Sequence, residues 1–426
     1  MKLNDLGKLN IVILGIGREG IDTLRFLRKQ FPQKNIGIAD KQEFRNLPIG
    51  TRKIIIAGKR LNLHFGKKYL SFLKNYSAVI KSPGIAFKVI KPFIGRNQKL
   101  TSQTEIFLEN CKGMIIGITG TKGKSTTATL IYRTLKNGGL KAHLVGNIGE
   151  PVLGHLLNTN KDDIFVYELS SHQLMNLHKS PHIAVFLNIF REHLDYYKSF
   201  NEYIRAKENI TVHQNSRDFL VYNSTDKRVV RIAEKSPAKK IPFKGEYYTA
   251  DFEAAKAVAR LCRIPESVIE KTVKGFKKLP HRLEFAGEYK GIKFYNDSLA
   301  TIPEAAIFAI RALGKDVETV FLGGHERYYD FTGLAKEVLK GDVKTVILFP
   351  PTGRKIWKKI VSLKKTKVPK HFFVENMEDA VKLAYQNTSK GKICLLSCAS
   401  PSFGIFKDYK ERGDLFKKYV KIYGKR

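Results

Sequence analysis

Met114-Ile115-Ile116-Gly117-Ile118-Thr119-Gly120-Thr121-Lys122-Gly123-Lys124-Ser125-Thr126 is the stretch that decides the fold. The apolar run through Ile118 reads as a buried strand, the glycines as a turn, and about Ser125 to Lys136 as a helix. A strand, a Gly-rich turn and a helix start, in that order, aim backbone N–H groups at phosphate oxygens. Lys124 adds a cation for the β- and γ-phosphates, and the hydroxyl of Ser125 or Thr126 can hold Mg²⁺. The regular template has a glycine five residues before Gly123; Ile118 stands there, flanked by Gly117 and Gly120, so this is a variant loop. Gly120, Thr121, Gly123, Lys124, Ser125 and Thr126 are the candidate phosphate-binding residues.

Strands are expected downstream at Ile164–Glu168, Ile183–Asn188 and Phe219–Asn223, with helices from about Ala250 to Cys262 and near Ser267–Lys274. Two of these strands end in polar loops, Glu168-Leu169-Ser170-Ser171-His172-Gln173 and Asn188-Ile189-Phe190-Arg191-Glu192-His193-Leu194-Asp195. Both loops reach the sheet edge that carries the phosphate loop. Glu168 and His193 are therefore candidate Mg²⁺ ligands, although Mg²⁺ prefers oxygen and a loop histidine also reads as structural. Ser199-Phe200-Asn201-Glu202 has the capping-box pattern and opens a helix. At 100° per residue Phe200, Tyr203, Ile204, Ile210 and Thr211 form one stripe, and Lys207 falls in its middle. A lysine on a buried face is costly unless it is paired or neutralised. Either it snorkels to water, or its charge is chemically altered or meets an anionic ligand.

Further out, Lys8–Leu14 reads as a strand leading to Gly15-Ile16-Gly17-Arg18-Glu19-Gly20 and a helix through Leu24, Leu27 and Phe31. The strand Asn35–Ala39 ends at Asp40, and Ser77–Ile80 opens into Lys81-Ser82-Pro83-Gly84-Ile85. This fingerprint fits NAD(P), another nucleotide or nucleotide-sugar, or a purely structural turn, and the second reading is favoured. Beyond the hinge Leu279-Pro280-His281-Arg282, strands near Ile292–Tyr295, Thr319–Leu322, Thr345–Phe349 and Ile393–Ser397 alternate with helices. Three αβ-type blocks of mostly parallel sheet result.

The 426 residues are 43% hydrophobic and 27% charged, which is globular composition. No apolar run nears the roughly 20 residues of a membrane-spanning helix, and no secretory signal is visible, so a cytoplasmic protein is expected. The four cysteines are too scattered for a disulfide framework or metal knuckle. Lys and Arg total 76 against 39 Asp and Glu, a net charge of +37. Such a field draws nucleic acid, anionic lipid or polyphosphate. The cations run through the whole chain without a block of five or six, so the charge reads as lysine bias on solvated faces. No aromatic RNA-binding motif is present, and nucleic acid is not an expected partner.

These pieces, in this order, resemble the Mur ligase family of peptidoglycan synthesis, and most closely its D-glutamate-adding branch. Further matching stretches are Gly146-Asn147-Ile148-Gly149-Glu150-Pro151, Ala206-Lys207, Asn296-Asp297-Ser298, Leu395-Leu396-Ser397 through Ser402, Phe406-Lys407-Asp408-Tyr409 and Glu411-Arg412-Gly413. The resemblance implies an α/β protein of three domains: a Rossmann-like N-terminal domain for the UDP substrate (1–98), a central P-loop ATPase-type domain (99–281) and a Rossmann-like C-terminal domain for the amino acid (282–426). It implies a monomer without an obligate protein partner that joins D-glutamate to UDP-N-acetylmuramoyl-L-alanine through an acyl phosphate, using ATP and two Mg²⁺ ions. Carried over residue by residue, Lys124, Lys207, His193 and Arg282 are catalytic, and Arg282 and Asp297 contact ATP. Ser125, Thr126, Glu168, His193 and Lys207 hold metal, with Lys207 carried as a carbamate. Arg18, Glu19, Asp40, Lys41, Ser82 and Asn147 face the UDP substrate; Thr301, Arg327, Ser402 and Tyr409 face D-glutamate.

The chain departs from the family pattern at Leu299 and Ile302, where the family has Lys and Asn, and at Arg327, where it has Lys. Near the adenine it has Tyr247-Tyr248 and Asp251 in place of a His-Asn…Asn set. Arg327 or a nearby lysine is expected to supply the cation that Leu299 lacks. The alternatives are a glutamate ligase of the folylpolyglutamate-synthase type and a basic nucleotide- or RNA-binding protein on a degenerate ligase core. The roughly 110 residues before the phosphate loop argue against the first.

Overall fold

The computed structural model describes residues 1–193, 196–246, 248–276, 280–363 and 368–425. Leu194, Asp195, Tyr247 and Leu279, quoted above, lie outside them. In the first of three sheets, β1 (Ile11–Leu14), β2 (Ile36–Asp40), β3 (Leu61–Phe65), β4 (Ala78–Lys81) and β5 (Lys99–Thr101) run parallel in the order β3-β2-β1-β4-β5. This is the strand order of a dinucleotide-binding half. The expected boundary at 98/99 falls just before β5, which closes the sheet.

The central sheet holds β6 (Met114–Thr119), β7 (Ala142–Gly146), β8 (Ile164–Glu168), β9 (Ile183–Phe186), β10 (Phe219–Asn223) and β11 (Lys239–Phe243). All are parallel, in the order β11-β10-β9-β6-β8-β7. β6 therefore opens its glycine loop between the ends of β9 and β8, the two strands that carry the polar loops. The third sheet contains β12 (Glu284–Tyr289), β13 (Ile292–Asn296), β14 (Val317–Gly323), β15 (Thr345–Phe349), β16 (Lys370–Phe373) and β17 (Ile393–Leu396) in the order β12-β13-β17-β14-β15-β16. β12 pairs antiparallel with β13 and the rest are parallel. Its first parallel strand sits at one end of the parallel set, not in the middle, so the expected Rossmann-like order holds for the N-terminal sheet and not for this one.

The chain packs as two units, Met1–Ile189 with Tyr196–Gly275, and Phe190–Asp195 with Phe276–Arg426. One apolar cluster runs from Ile11, Ile13 and Ile38 through Phe107 to Phe165 and Phe186. Burying each such side chain contributes about 1.5–3 kcal/mol, so this shared core binds the first two sheets into one body. The third sheet has its own core of Phe294, Phe321, Phe349 and Phe416. Among the described residues no helix is long and apolar enough to cross a membrane.

Candidate nucleotide and metal site

β6 ends at Thr119, and the helix Lys124–Asn137 starts just beyond the glycine turn. Gly123 caps this helix at φ +93°, and a Cβ there would lie 2.1 Å from Asp251 Oδ1, so the position demands glycine. Asp251 is buried and accepts a hydrogen bond from the Thr127 hydroxyl (3.2 Å). Asn188, just past β9, clamps the loop. Its Oδ1 accepts from the Lys122 N–H (2.9 Å), its Nδ2 donates to the Lys122 carbonyl (3.0 Å), and its own carbonyl accepts from the Thr121 N–H (2.9 Å). The Thr121 and Tyr203 hydroxyls meet at 2.9 Å.

Two lysines converge on one oxygen of this loop. Lys124 Nζ donates to the carbonyls of Gly120 and Thr121, each at 3.0 Å. Lys207 Nζ donates to the same Gly120 carbonyl at 2.8 Å and to Thr119 Oγ1 at 3.4 Å. It lies 5.0 Å from the centroid of the Tyr203 ring. Lys207 is 1% exposed on the helix Phe200–Val212, which excludes snorkelling. Ser199 caps that helix by accepting from the Glu202 N–H, but the Glu202 carboxylate reaches back to the Lys198 N–H, so the expected reciprocal box is a single cap. A true capping box forms instead at Ser170 and Gln173.

Glu168, the last residue of β8, is buried and its Oε2 has no hydrogen-bond partner. It sits beside β6 in register with Ile118, and the Asn147 N–H points to its carbonyl at 3.5 Å. A buried carboxylate oxygen without a partner calls for a cation, and a loop held by two lysines is basic enough to receive phosphate. A polyphosphate with a divalent cation answers both, so these residues fit a Mg²⁺–nucleotide, with Ser125 and Thr126 on the first turn of the helix as oxygen donors. Among the described residues, no three His, Cys, Asp or Glu side chains gather into a ligand set of their own. His193 belongs to the short segment that packs with the second unit; it has φ +58° and its Nε2 lies 3.7 Å from Glu192 Oε2.

The other glycine turn also lies in the first unit. Gly15 takes φ +92°, and a Cβ on Gly20 would lie 2.1 Å from the Gly15 carbonyl, whereas one on Gly17 meets nothing within 4 Å. Asp40 accepts from the N–H groups of Ile16 (2.8 Å) and Gln42 (2.9 Å), and the Ser82 hydroxyl donates to the Gly15 carbonyl (2.9 Å). Arg18 donates to the Gly149 carbonyl. Glu19 accepts from Gln173 Nε2 at 2.8 Å, and burial raises its carboxyl to about 6. Burial lowers Lys81 to about 8 against the opposing pull of Glu19; its ammonium donates to the Ser82 and Ile85 carbonyls. Tyr196 donates its hydroxyl to the carbonyls of Pro83 and Ile85. Arg18, Glu19, Asp40 and Ser82 are thus gathered round one turn, with Asn147 on the adjoining β7 loop, while Lys41 is exposed next to Asp40. Gln173, Lys81 and Tyr196 were not singled out by the sequence; only the position of Lys81 beside Ser82 and of Gln173 in the Glu168 loop pointed to them.

In the second unit, Thr301, Arg327 and Ser402 follow β13, β14 and β17, three neighbouring strands whose carboxyl ends lie side by side. Arg412 is fully buried and ties these loops together, donating to the Ser298 hydroxyl (3.0 Å) and carbonyl (2.7 Å) and to the Ser400 carbonyl (3.1 Å). Tyr409 opens the last helix, its carbonyl accepting from the Ser298 hydroxyl (2.8 Å). Asp297 accepts from the Leu283 N–H (3.0 Å) and the Ser397 hydroxyl (2.9 Å), and Arg282 is buried next to Leu283. Ile302 is fully buried, so the family's polar residue is replaced there by a core side chain. Leu299 is half-buried, its N–H donating to the His281 carbonyl (3.0 Å).

A glycine loop on which two lysines converge, beside a strand that ends in a buried acid with one unpaired oxygen, in a parallel sheet followed by a separate α/β unit, defines a nucleotide-using α/β enzyme. The sequence pattern of the Mur ligase middle domain matches residues 118–289, and that of the Mur ligase glutamate-ligase domain matches residues 281–400. A UDP-N-acetylmuramoylalanine–D-glutamate ligase from Acetivibrio thermocellus is 32% identical, over 98% of each chain. The chain belongs to the Mur ligase family and is an ATP-dependent, ADP-forming ligase. Its fold is shared with the MurF ligase from Thermotoga maritima in complex with ADP (TM-score 0.59, 15% identity, 98% and 99% of the two chains). It is shared also with a pseudomurein peptide ligase type C from Methanothermus fervidus (TM-score 0.56, 19% identity, 96% and 99%).

Proposed function

We propose that this ligase joins D-glutamate to UDP-N-acetylmuramoyl-L-alanine in peptidoglycan precursor synthesis. The observation that carries the reading is the convergence of Lys124 and Lys207 on the Gly120 carbonyl, near Glu168 with its unpaired Oε2; the relative from A. thermocellus supports the substrate pair. A carboxylate oxygen of the UDP substrate attacks the γ-phosphorus of ATP and the bond to ADP breaks, leaving an acyl phosphate. The amine of D-glutamate then attacks the acyl carbon, loses a proton and expels phosphate. Lys124 neutralises the phosphates, and the clamped loop orients them without reorganising during transfer. Ser125, Thr126, Glu168, His193 and a carbamate on Lys207 would hold Mg²⁺, which when bound supplies Lewis-acid neutralisation of the phosphoryl oxygens.

A carbamate turns Lys207 from a buried cation into an anionic oxygen ligand, which removes the clash of two ammonium groups on one carbonyl. Residues 1–98 take the UDP substrate through Arg18, Glu19, Asp40, Lys41 and Ser82, together with Asn147 of the central block 99–281. Arg282 and Asp297 serve ATP, and Thr301, Arg327, Ser402 and Tyr409 of block 282–426 serve D-glutamate. The test is phosphate release with Mg²⁺, ATP, UDP-N-acetylmuramoyl-L-alanine and a panel of amino acids. Release is expected with D-glutamate alone; stimulation by L-alanine, or by a folate substrate with glutamate, would overturn the assignment.

A further inference from the structure

Between Glu43 and Glu105 the chain carries thirteen Lys and Arg and no Asp or Glu. The cations are spread, as they are everywhere in this chain; what is special here is the length of the acid-free run, the longest in the sequence. Of the twelve large apolar side chains exposed among the described residues, six fall in this same stretch. The two features meet on the helix Ile49–Ile56. Ile49, Arg52, Lys53 and Ile56 sit at i, i+3, i+4 and i+7, one stripe of the helix. Its two ends are apolar and open to solvent, Ile49 at 65% and Ile56 at 73% exposed, while Ile55 on the opposite face is buried. Lys59 and Arg60 follow at once, exposed, and lead into the edge strand β3, where Leu63 is exposed as well. None of these residues belongs to the nucleotide or substrate groups described above.

We propose that this helix, the Lys59–Arg60 turn and β3 form a docking face for an anionic lipid surface. Apolar side chains at both ends of a cationic stripe match an interface where acyl chains lie just beneath negative headgroups. A nucleic acid would use the cations and leave the isoleucines without a purpose. Each cation near such a surface strengthens binding by about fivefold, and the attraction is screened by salt.

The experiment sediments the full-length protein with phosphatidylcholine vesicles and with vesicles that also contain phosphatidylglycerol. Binding is expected only with phosphatidylglycerol, and high salt should weaken it. Ile49→Ser/Ile56→Ser should weaken it about tenfold or more, and Lys53→Gln/Lys59→Gln by about 25-fold. All four side chains are exposed or partly exposed at the surface, so the variants should melt like the parent; Lys418→Gln/Lys421→Gln, exposed cations of the last helix, should bind like the parent. Equal binding to both vesicles, or an equal loss in the Lys418/Lys421 control, would overturn the proposal. So would RNA binding that ignores the Ile49/Ile56 change, or a dimer that this change abolishes in a protein that ignores vesicles.

Discussion

Two corners of the first unit share a backbone plan and differ in charge. After β1 and after β6 the chain turns through glycine into a helix, and Gly15 and Gly123 both take positive φ. At the first corner Glu19 is half-buried with Lys81 as its near cation and one oxygen, Oε2, without a hydrogen-bond partner, while both oxygens of Asp40 are taken by backbone N–H groups. At the second, Glu168 likewise keeps an oxygen without a partner, but two lysines share one loop carbonyl there. Glycine spacing decides where backbone can approach a ligand, while the side chains decide what charge the ligand meets there. Anchoring a nucleotide needs only the first arrangement. Under the proposed function, moving a phosphoryl group also needs charge held ready where it develops, and the second corner would supply it.

The sharpest break between the corners is expected in turnover. Lys207→Ala should lower ATP-dependent ligation by about 10²–10³ or more, and short-chain carboxylic acids should restore part of the rate. Arg18→Ala at the first corner should instead raise KM for the UDP substrate with little change in kcat, as lost uniform binding does. Equal kcat losses in both variants would erase the distinction.

Next come effects on stability, read by urea unfolding. Gly20→Ala drives a Cβ onto the Gly15 carbonyl and should cost about 1–3 kcal/mol, whereas Gly17→Ala points into open space and should stay within about 0.5 kcal/mol. Glu19 gives a comparable, pH-dependent effect. Its carboxyl titrates near 6 in the fold against 4.5 for the free group, so the folded protein binds the extra proton first. Stability should therefore rise by about 2 kcal/mol as pH falls through 6 toward 4.5. In Glu19→Gln that rise should be gone. The smallest effect belongs to the second unit: Leu299→Lys should change ligation less than tenfold if Arg327 already supplies the cation, and a gain of tenfold or more would refute that compensation.

Eleven strands were legible from the sequence, and the six that were not are the two edges of each sheet: β3 and β5, β7 and β11, β12 and β16. Interior parallel strands such as β1, β8 and β15 are buried on both faces and read as unbroken apolar runs. Edge strands carry polar and breaking residues, as in Lys239-Lys240-Ile241-Pro242-Phe243 and Lys370-His371-Phe372-Phe373, so nothing in their pattern separates them from loops. The site divides the same way. Lys207 was legible because one helix stripe makes a lysine there anomalous, and the glycine loops because their spacing is local. Asn188, Tyr203 and Arg412 act on partners 66, 82 and 114 residues away, and no local pattern announces such contacts.

The chemical state of Lys207 decides the proposed chemistry more directly than any other feature. If its amine carries CO₂, bound through nitrogen with loss of a proton, ¹³C-labelled bicarbonate should give a carbamate resonance in the native protein with Mg²⁺ and nucleotide. That signal should be absent from Lys207→Ala. Identical spectra for the two proteins, together with a bare ammonium at Lys207 in a crystallographic map under the same conditions, would contradict it.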